Sequence, residues 1–156
     1  IMVPDRYLAQ NVAKTTDVKI IPWRGSCKVH ELFSPKEIQE ARAQNPGLSV
    51  AAHPECPAEV VDEADFMGST VKISNWVNDN RPEKVMLMTE SSMSDNVSVQ
   101  YPDLQFVKPS QSCEYMKMIS LKNIRRALET ETHQIEIEES IAIGARRAVE
   151  RMIDAS

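Results

Sequence analysis

The residues best suited to chemistry lie in one short stretch, residues 53–70, which reads HPECPAEVVDEADFMGST. It brings together an imidazole (His53), a carboxylate (Glu55) and a thiol (Cys56), and a Gly-Ser-Thr turn follows. Imidazoles and carboxylates are the usual groups for proton transfer near neutral pH. Residues 48–52 read as a short buried strand, and open α/β sheets bind ligands at the carboxyl ends of their strands. We therefore expect His53 and Glu55 to lie at a ligand site.

Three cysteines, Cys27, Cys56 and Cys113, form a second group of reactive side chains. None belongs to a CxxC pair, which disfavours a zinc ribbon or a thioredoxin-like site. Their odd number and wide spacing argue against a disulfide framework and favour reduced thiols in the cytoplasm. If these cysteines bind a metal, they must converge in space from separate loops.

The composition is that of an ordinary globular protein, with 42% hydrophobic and 26% charged residues among 156. The net charge of −5 gives no electrostatic reason to bind nucleic acid or an anionic membrane. No apolar run reaches the roughly 20 residues that span a bilayer. The opening IMVPD lacks a methionine start and the pattern of a signal peptide. We expect a piece of a longer protein.

Short apolar runs alternate with helical patterns along the chain. The alternation predicts an α/β fold with a parallel sheet that is covered on both faces. Ser34 and Glu37 fit a capping box at the start of one helix. Residues 91–101 favour neither state and stay unassigned. The predicted strands are residues 18–21, 48–52, 65–67, 85–88, 104–107 and 135–137, and the predicted helices follow Asp5 and Ser34 and cover residues 58–64, 71–77, 120–129 and 138–153.

The chain also contains an internal repeat. When Cys27 is placed over Cys113, SCKVHELFSPKEIQEA aligns with SCEYMKMISLKNIRRA at an offset of 86 residues. The pattern predicts a duplicated unit of strand, cysteine loop and capped helix. Two equivalent thiols on related domains would suit a metal or cluster at a pseudosymmetry axis. Cys56 has no counterpart, because Ala142 occupies its repeat position.

Five stretches of this chain resemble the quinolinate synthase A family in the family's own order. They are PDRYLAQNVA, GSCKVHELF, HPECPAEVVDEADFMGST, TESSMSDNV and CEYMKMISLKNI. The resemblance implies repeated three-layer αβα domains with short parallel sheets, arranged as three similar domains around a pseudo-threefold axis. Residues 1–20 would end the preceding domain, residues 18–103 would form the domain with Cys27, and residues 104–156 would form a unit with Cys113.

The resemblance also implies a cofactor. One cysteine from each domain would hold a 4Fe-4S cluster, and Cys27 and Cys113 match the second and third ligands. The first ligand has no match and would come from a preceding portion of the protein. The family usually has proline after the third cysteine, where this chain has Glu114.

Site residues are implied in the same way. His53 and Glu55 match the family's His-Pro-Glu substrate motif, and Ser69 and Thr70 belong to its Gly-Ser-Thr motif. Glu55 would transfer protons, while His53 and Thr70 would orient the carboxylates of iminoaspartate. His30 would contact substrate or hydrogen-bond a cluster thiolate.

The implied activity is that of a transferase in de novo NAD biosynthesis. It condenses iminoaspartate with dihydroxyacetone phosphate to quinolinate, with loss of phosphate and two waters. The implied partner is the enzyme that supplies iminoaspartate, the implied location is the cytoplasm, and this chain alone would be inactive.

Simpler explanations stay open for each of these residues. His53 and Glu55 could cap the next helix, His30 could satisfy a backbone carbonyl, and Cys56 could be a packed loop thiol. A nucleotide-binding module would share the fold class, yet the chain has four glycines and no GxGxxG. A non-catalytic metal-binding or partner-binding fragment is the remaining alternative.

Overall fold

The computed structural model describes residues 1–155, which form two compact units. The first unit comprises residues 1–114 and contains the sheet, whereas the second begins at Tyr115. No helix in the described residues is both long and apolar enough to cross a membrane.

The first unit is built on a parallel sheet of four strands in the order β2-β1-β3-β4. Every neighbouring pair is parallel, and Ala52 at the end of β1 lies opposite Met88 at the end of β3. The carboxyl ends of the two central strands therefore meet at one edge, and the predicted parallel α/β sheet is confirmed. The strands are β1 (Leu48–Ala52), β2 (Phe66–Met67), β3 (Lys84–Met88) and β4 (Gln105–Val107).

Helices precede and connect the strands. A 3-10 turn, His30–Leu32, follows the loop that carries Cys27. The helices are α1 (Arg6–Ala13), α2 (Pro35–Gln44), α3 (Ala58–Glu63), α4 (Thr70–Asn80), α5 (Ser91–Gln100), the short α6 (Glu114–Lys117), α7 (Leu121–Thr130) and α8 (Glu139–Asp154).

Both faces of the sheet are covered because successive strand side chains point to opposite sides. On one face Val50 and Met86 pack with Ile38 of α2 in a fully buried cluster. On the other face Leu87 packs with Ile73 of α4. This is the three-layer αβα arrangement predicted from the alternation of elements.

The helices predicted to start after Asp5 and Ser34 are both present, but only Asp5 caps its helix through its side chain. Asp5 begins α1, and its Oδ1 accepts the backbone N–H groups of Tyr7 and Leu8. Ser34 precedes α2, but the predicted capping box is wrong. Glu37 instead accepts hydrogen bonds from the backbone N–H and the hydroxyl of Ser110, so its carboxylate ties α2 to a distant loop.

Two predicted strands are wrong. Residues 18–21 are irregular, with Val18 70% and Ile21 55% exposed. Residues 135–137 are also irregular, and Ile135 is 85% exposed. Neither segment pairs with a strand of the sheet. The end of the first one forms a single parallel bridge, in which the Met2 N–H donates to the carbonyl of Ile21 at 2.9 Å, and one bridge does not make a strand. Residues 91–101, which the pattern left unassigned, form α5.

The predicted domain boundary before residue 104 differs from the division seen here. β4 pairs with β3 in the first unit, and that unit extends to Glu114. The described part of the second unit contains helices and no strand. Its helices leave Leu121, Leu128 and Ile141 exposed. A further αβα domain over residues 104–156, and the pseudo-threefold axis, stay predictions for the intact protein.

Helix α1 is fastened to the loop after β1 by one buried amide. Asn11 is 1% exposed, and its Nδ2 donates to the carbonyls of Pro54 and Cys56 at 2.9 Å each. Buried carbonyls must be paired, since an unsatisfied one is costly. Asn11 therefore holds the loop of residues 53–57 in place.

We expect Asn11→Ala to lower the free energy of unfolding by about 2–3 kcal/mol, because one buried and one partly buried carbonyl lose their donor. Urea unfolding followed by tryptophan fluorescence measures this change. Asn96→Ala is the matched control: Asn96 is exposed on α5, so its replacement should change stability by less than about 0.5 kcal/mol. Equal effects of the two substitutions would contradict the role of Asn11.

Candidate functional site

The candidate site lies at the carboxyl ends of β1 and β3. His53 follows β1 directly, and its backbone N–H donates to the carbonyl of Met88 at 3.2 Å. Thr89 and Glu90 follow β3 and are buried. The structure thus places His53 and Glu55 at the sheet edge where the sequence predicts a ligand site.

His30 organises the polar groups at this edge. Its Nδ1 lies 3.1 Å from Glu55 Oε2, and its Nε2 lies 2.9 Å from Thr89 Oγ1. A carboxylate only accepts hydrogen bonds, so His30 Nδ1–H is the donor to Glu55. The His53 ring stacks on the His30 ring, with centroids 4.4 Å apart and an angle of 11°. The two imidazoles and one carboxylate form a single cluster.

The electrostatics of the cluster lower the pKa values of both His53 and Glu55. Burial, together with nearby His30, lowers the pKa of His53 to about 4, so this imidazole is neutral at neutral pH. The hydrogen bond from His30 lowers the pKa of Glu55 below its usual value of 4.5. Glu55 is therefore an ionised carboxylate beside a neutral imidazole, and both groups have free lone pairs for a proton of a bound molecule. The lowered pKa keeps Glu55 available as an acceptor but makes it a weaker base than an ordinary glutamate.

Cys27 joins this cluster. Cys27 Sγ and one ligand atom each from His30 and Glu55 all lie within 4.8 Å of one another, so the three residues could hold a metal ion. A cavity of about 160 Å³ adjoins them and is lined by Pro4, Asp5, Ser26, Cys27 and Glu55. The structure thus connects the predicted thiol ligand to the predicted proton-transfer group.

Cys113 occupies a neighbouring loop. Cys27 and Cys113 are both partly exposed free thiols, and both pack against the hydrophobic cluster on one face of the sheet. The residues that follow them pair directly, with Lys28 Nζ 3.1 Å from Glu114 Oε1. Exposed ion pairs contribute little stability, so the contact reports proximity more than strength. Cys113 is not one of the three groups around Glu55.

Cys56 is set apart from the other two thiols. It is fully buried, and its thiol donates to the carbonyl of Met88 at 3.2 Å. Burial raises the pKa of this thiol to about 12. Metal ligation requires a thiolate, so Cys56 has neither the charge state nor the access for it.

Ser69 and Thr70 lie at the start of α4. Ser69 Oγ accepts the backbone N–H of Lys72 at 3.4 Å, which makes Ser69 the helix cap. Both side chains are exposed. Neither hydroxyl forms a hydrogen bond with His53 or Glu55 within the part of the chain that the structure describes.

Sequence reasoning assigned no role to Thr89 or Glu90, and it predicted Asp5 only as the start of a helix. Thr89 shares a hydrogen bond with His30. Asp5 accepts the backbone N–H of Cys27, and Glu90 accepts that of Cys113. A usable signal existed for two of them, since Thr89 and Glu90 directly follow a buried apolar run.

Comparison with known proteins shows which family the chain belongs to. The sequence profile of the family described as quinolinate synthetase A protein matches residues 1–154. The chain is 56% identical to a quinolinate synthase of Agrobacterium fabrum over 153 residues, which are 98% of this chain and 44% of that protein. It is 54% identical to quinolinate synthase 2 of Mesorhizobium japonicum, over 98% of this chain and 47% of that protein. It is 52% identical to a quinolinate synthase of Xylella fastidiosa, over 98% of this chain and 45% of that protein. The chain therefore spans less than half the length of these curated relatives, and it belongs to the quinolinate synthase family.

Proposed function

We propose that this chain serves in a quinolinate synthase that condenses iminoaspartate with dihydroxyacetone phosphate in de novo NAD biosynthesis. The products are quinolinate, phosphate and two waters, and the reaction balances without an oxidant or reductant. The observation that carries the proposal is the ionised Glu55, held by His30 beside Cys27 at the carboxyl edge of the sheet. The family match over residues 1–154 supports it.

The thiols of this chain fit part of a 4Fe-4S site. Cys27 and Cys113 are free and partly exposed on loops that meet through Lys28 and Glu114, and thiolates are the usual ligands of such clusters. Cys56 is excluded by its burial. The third cysteine would come from outside these 156 residues, so we expect this chain alone to be inactive. When bound, a cluster with three thiolates supplies an open iron that polarises a substrate oxygen.

The other residues of the cluster would handle protons and orientation. Glu55 is ionised and would accept a proton from a bound intermediate, while His30 keeps the carboxylate oriented. His53 is neutral and stacked, so it would donate or accept a hydrogen bond without adding charge. Ser69 and Thr70, at the amino end of α4, would bind a substrate carboxylate, because that end of a helix favours anions.

The chemistry of the substrate points to one partner. An imine hydrolyses in water, so direct supply by the enzyme that makes iminoaspartate would protect it. We propose a cytoplasmic setting for both enzymes, and nothing in the net charge of −5 favours a nucleic acid or an anionic membrane as a further partner.

A second candidate is a non-catalytic module that binds a single metal ion. The observation in its favour is the group of Cys27, His30 and Glu55, whose ligand atoms lie within 4.8 Å of one another without Cys113. Thiolate, imidazole and carboxylate are each ligands that zinc binds in proteins. The number of metal ions bound per chain distinguishes this candidate from a protein that holds a 4Fe-4S cluster.

We expect anaerobic reconstitution of the intact protein to give about four irons and four sulfides per chain, with the absorption of an iron-sulfur cluster. Cys27→Ser and Cys113→Ser should abolish incorporation, because each removes a thiolate ligand. Cys56→Ser is the matched control and should incorporate iron as the wild type does. One metal per chain that survives Cys113→Ser but not Cys27→Ser would favour the single-ion candidate instead.

We expect Glu55→Gln to reduce kcat about 10²–10⁴-fold with little change in KM, because the amide keeps the shape of the side chain but cannot accept a proton. Steady-state quinolinate formation measures the effect, and iron content should stay at the wild-type level. Glu59→Gln is the control, since Glu59 is exposed on α3 and should be silent. Full activity of Glu55→Gln would remove Glu55 from the catalytic role.

A further inference from the structure

Two buried carboxylates stand in equivalent places before the two cysteine loops. Asp5 is 2% exposed, and its Oδ2 accepts the backbone N–H of Cys27 at 2.7 Å. Its Oδ1 accepts the N–H groups of Tyr7 and Leu8 at the start of α1, at 2.7 and 2.9 Å. Both oxygens of Asp5 are therefore used, one by the helix and one by the cysteine.

Glu90 repeats this arrangement at the other loop. It is 7% exposed, and its Oε1 accepts the backbone N–H of Cys113 at 3.1 Å. Its Oε2 accepts the N–H of Ser92 at the start of α5, at 2.8 Å. Again one carboxylate oxygen accepts a helix N–H and the other accepts the N–H of a cysteine. Oε1 also accepts a hydrogen bond from the Ser91 hydroxyl at 3.3 Å.

The main chain repeats the same connection. The N–H of Arg6, the first residue of α1, donates to the carbonyl of Gly25, two residues before Cys27, at 2.8 Å. The N–H of Ser91, the first residue of α5, donates to the carbonyl of Gln111, two residues before Cys113, at 3.2 Å. Each cysteine loop is thus joined to a helix start by one main-chain and one carboxylate hydrogen bond.

The sequence supports the same equivalence beyond the cysteines. PDRYLAQNV at residues 4–12 aligns with TESSMSDNV at residues 89–97 at an offset of 85 residues, one fewer than the 86 that aligns the cysteine loops. The second copy therefore has one more residue between its carboxylate and its cysteine than the first. Asp5 then lies over Glu90, and the Asn-Val pair recurs at the same place. The internal repeat therefore includes the carboxylate and its helix as well as the cysteine loop.

We propose that Asp5 and Glu90 are equivalent positioning residues, which fix the backbones of Cys27 and Cys113 to the starts of α1 and α5. Their relevance to a cluster rests on the proposed function, whereas the positioning itself does not. A carboxylate is required because both of its oxygens accept hydrogen bonds, so it serves the donors of a helix start and the N–H of a cysteine at the same time. An isosteric amide offers one acceptor oxygen, and its NH₂ group would face the second N–H. Each buried charge is compensated by these hydrogen bonds.

The test uses the 156-residue chain, reduced and free of metal, with Asp5→Asn and Glu90→Gln. Iodoacetamide labelling of each cysteine is followed over time by mass spectrometry of its peptide. Asp5→Asn should speed labelling of Cys27 severalfold and leave Cys113 unchanged, because only the first loop is released. Glu90→Gln should do the reverse.

Two controls keep this test specific. Cys56 is fully buried and reports global unfolding, so its protection should persist in both variants. Asp65→Asn is the matched substitution, since Asp65 Oδ2 accepts the backbone N–H of Val50 at 2.7 Å without serving a cysteine. It should alter neither labelling rate. Unchanged labelling in both test variants, or equal changes at both cysteines with Cys56 protected, would overturn the proposal.

A measurement on the wild-type chain covers the case in which a variant fails to fold. The amide hydrogens of Cys27 and Cys113 should exchange with solvent as slowly as those of Tyr7 and Ser92, since each pair shares one carboxylate. Exchange at unprotected rates would overturn the proposal.

The iron content of the intact protein is measured separately. Selective labelling in a protein that holds no iron would leave the positioning role intact and reject the cluster.

Discussion

The pairing of β1 with β3 is the interaction on which the candidate site depends. Ala52 lies opposite Met88, and the next residues of the two strands, His53 and Thr89, begin the site. The His53 N–H extends the ladder by one hydrogen bond to the Met88 carbonyl. A slip of one residue would turn every strand side chain to the opposite face, so the register fixes both the core and the site.

The site places several polar groups where little water reaches them. Each described contact reduces the free-energy cost of burying them. His30 bridges Glu55 and Thr89, and its ring also supports His53. The donor from His30 keeps Glu55 ionised despite partial burial, whereas burial keeps His53 neutral. His30 thus helps to keep Glu55 negatively charged, whereas His53 stays uncharged. Neighbouring groups can take different roles at one pH when their surroundings differ in this way.

Much of the fold was predictable because its signals are local. Buried apolar runs identified β1 and β3, and their carboxyl ends located His53 and Glu55. The errors have tertiary causes. Residues 18–21 resemble a strand but meet another segment only at one isolated bridge beside Met2, outside the sheet. The start of α5 depends on Glu90, whose second oxygen binds a residue 23 positions away. Spacing alone could not predict the bond of His30 to Thr89, since it joins residues 59 apart in sequence.

The enclosed thiol of Cys56 has a consequence for oxidative damage. Peroxides attack thiolates that they can reach, and Cys56 is both buried and protonated. The partly exposed Cys27 and Cys113 would therefore be oxidised first. Because neither belongs to the fully buried core, the chain would lose these two free thiols while its fold persisted. Damaged molecules would then resemble intact ones in any assay of folding and differ from them only in the chemistry of two sulfur atoms.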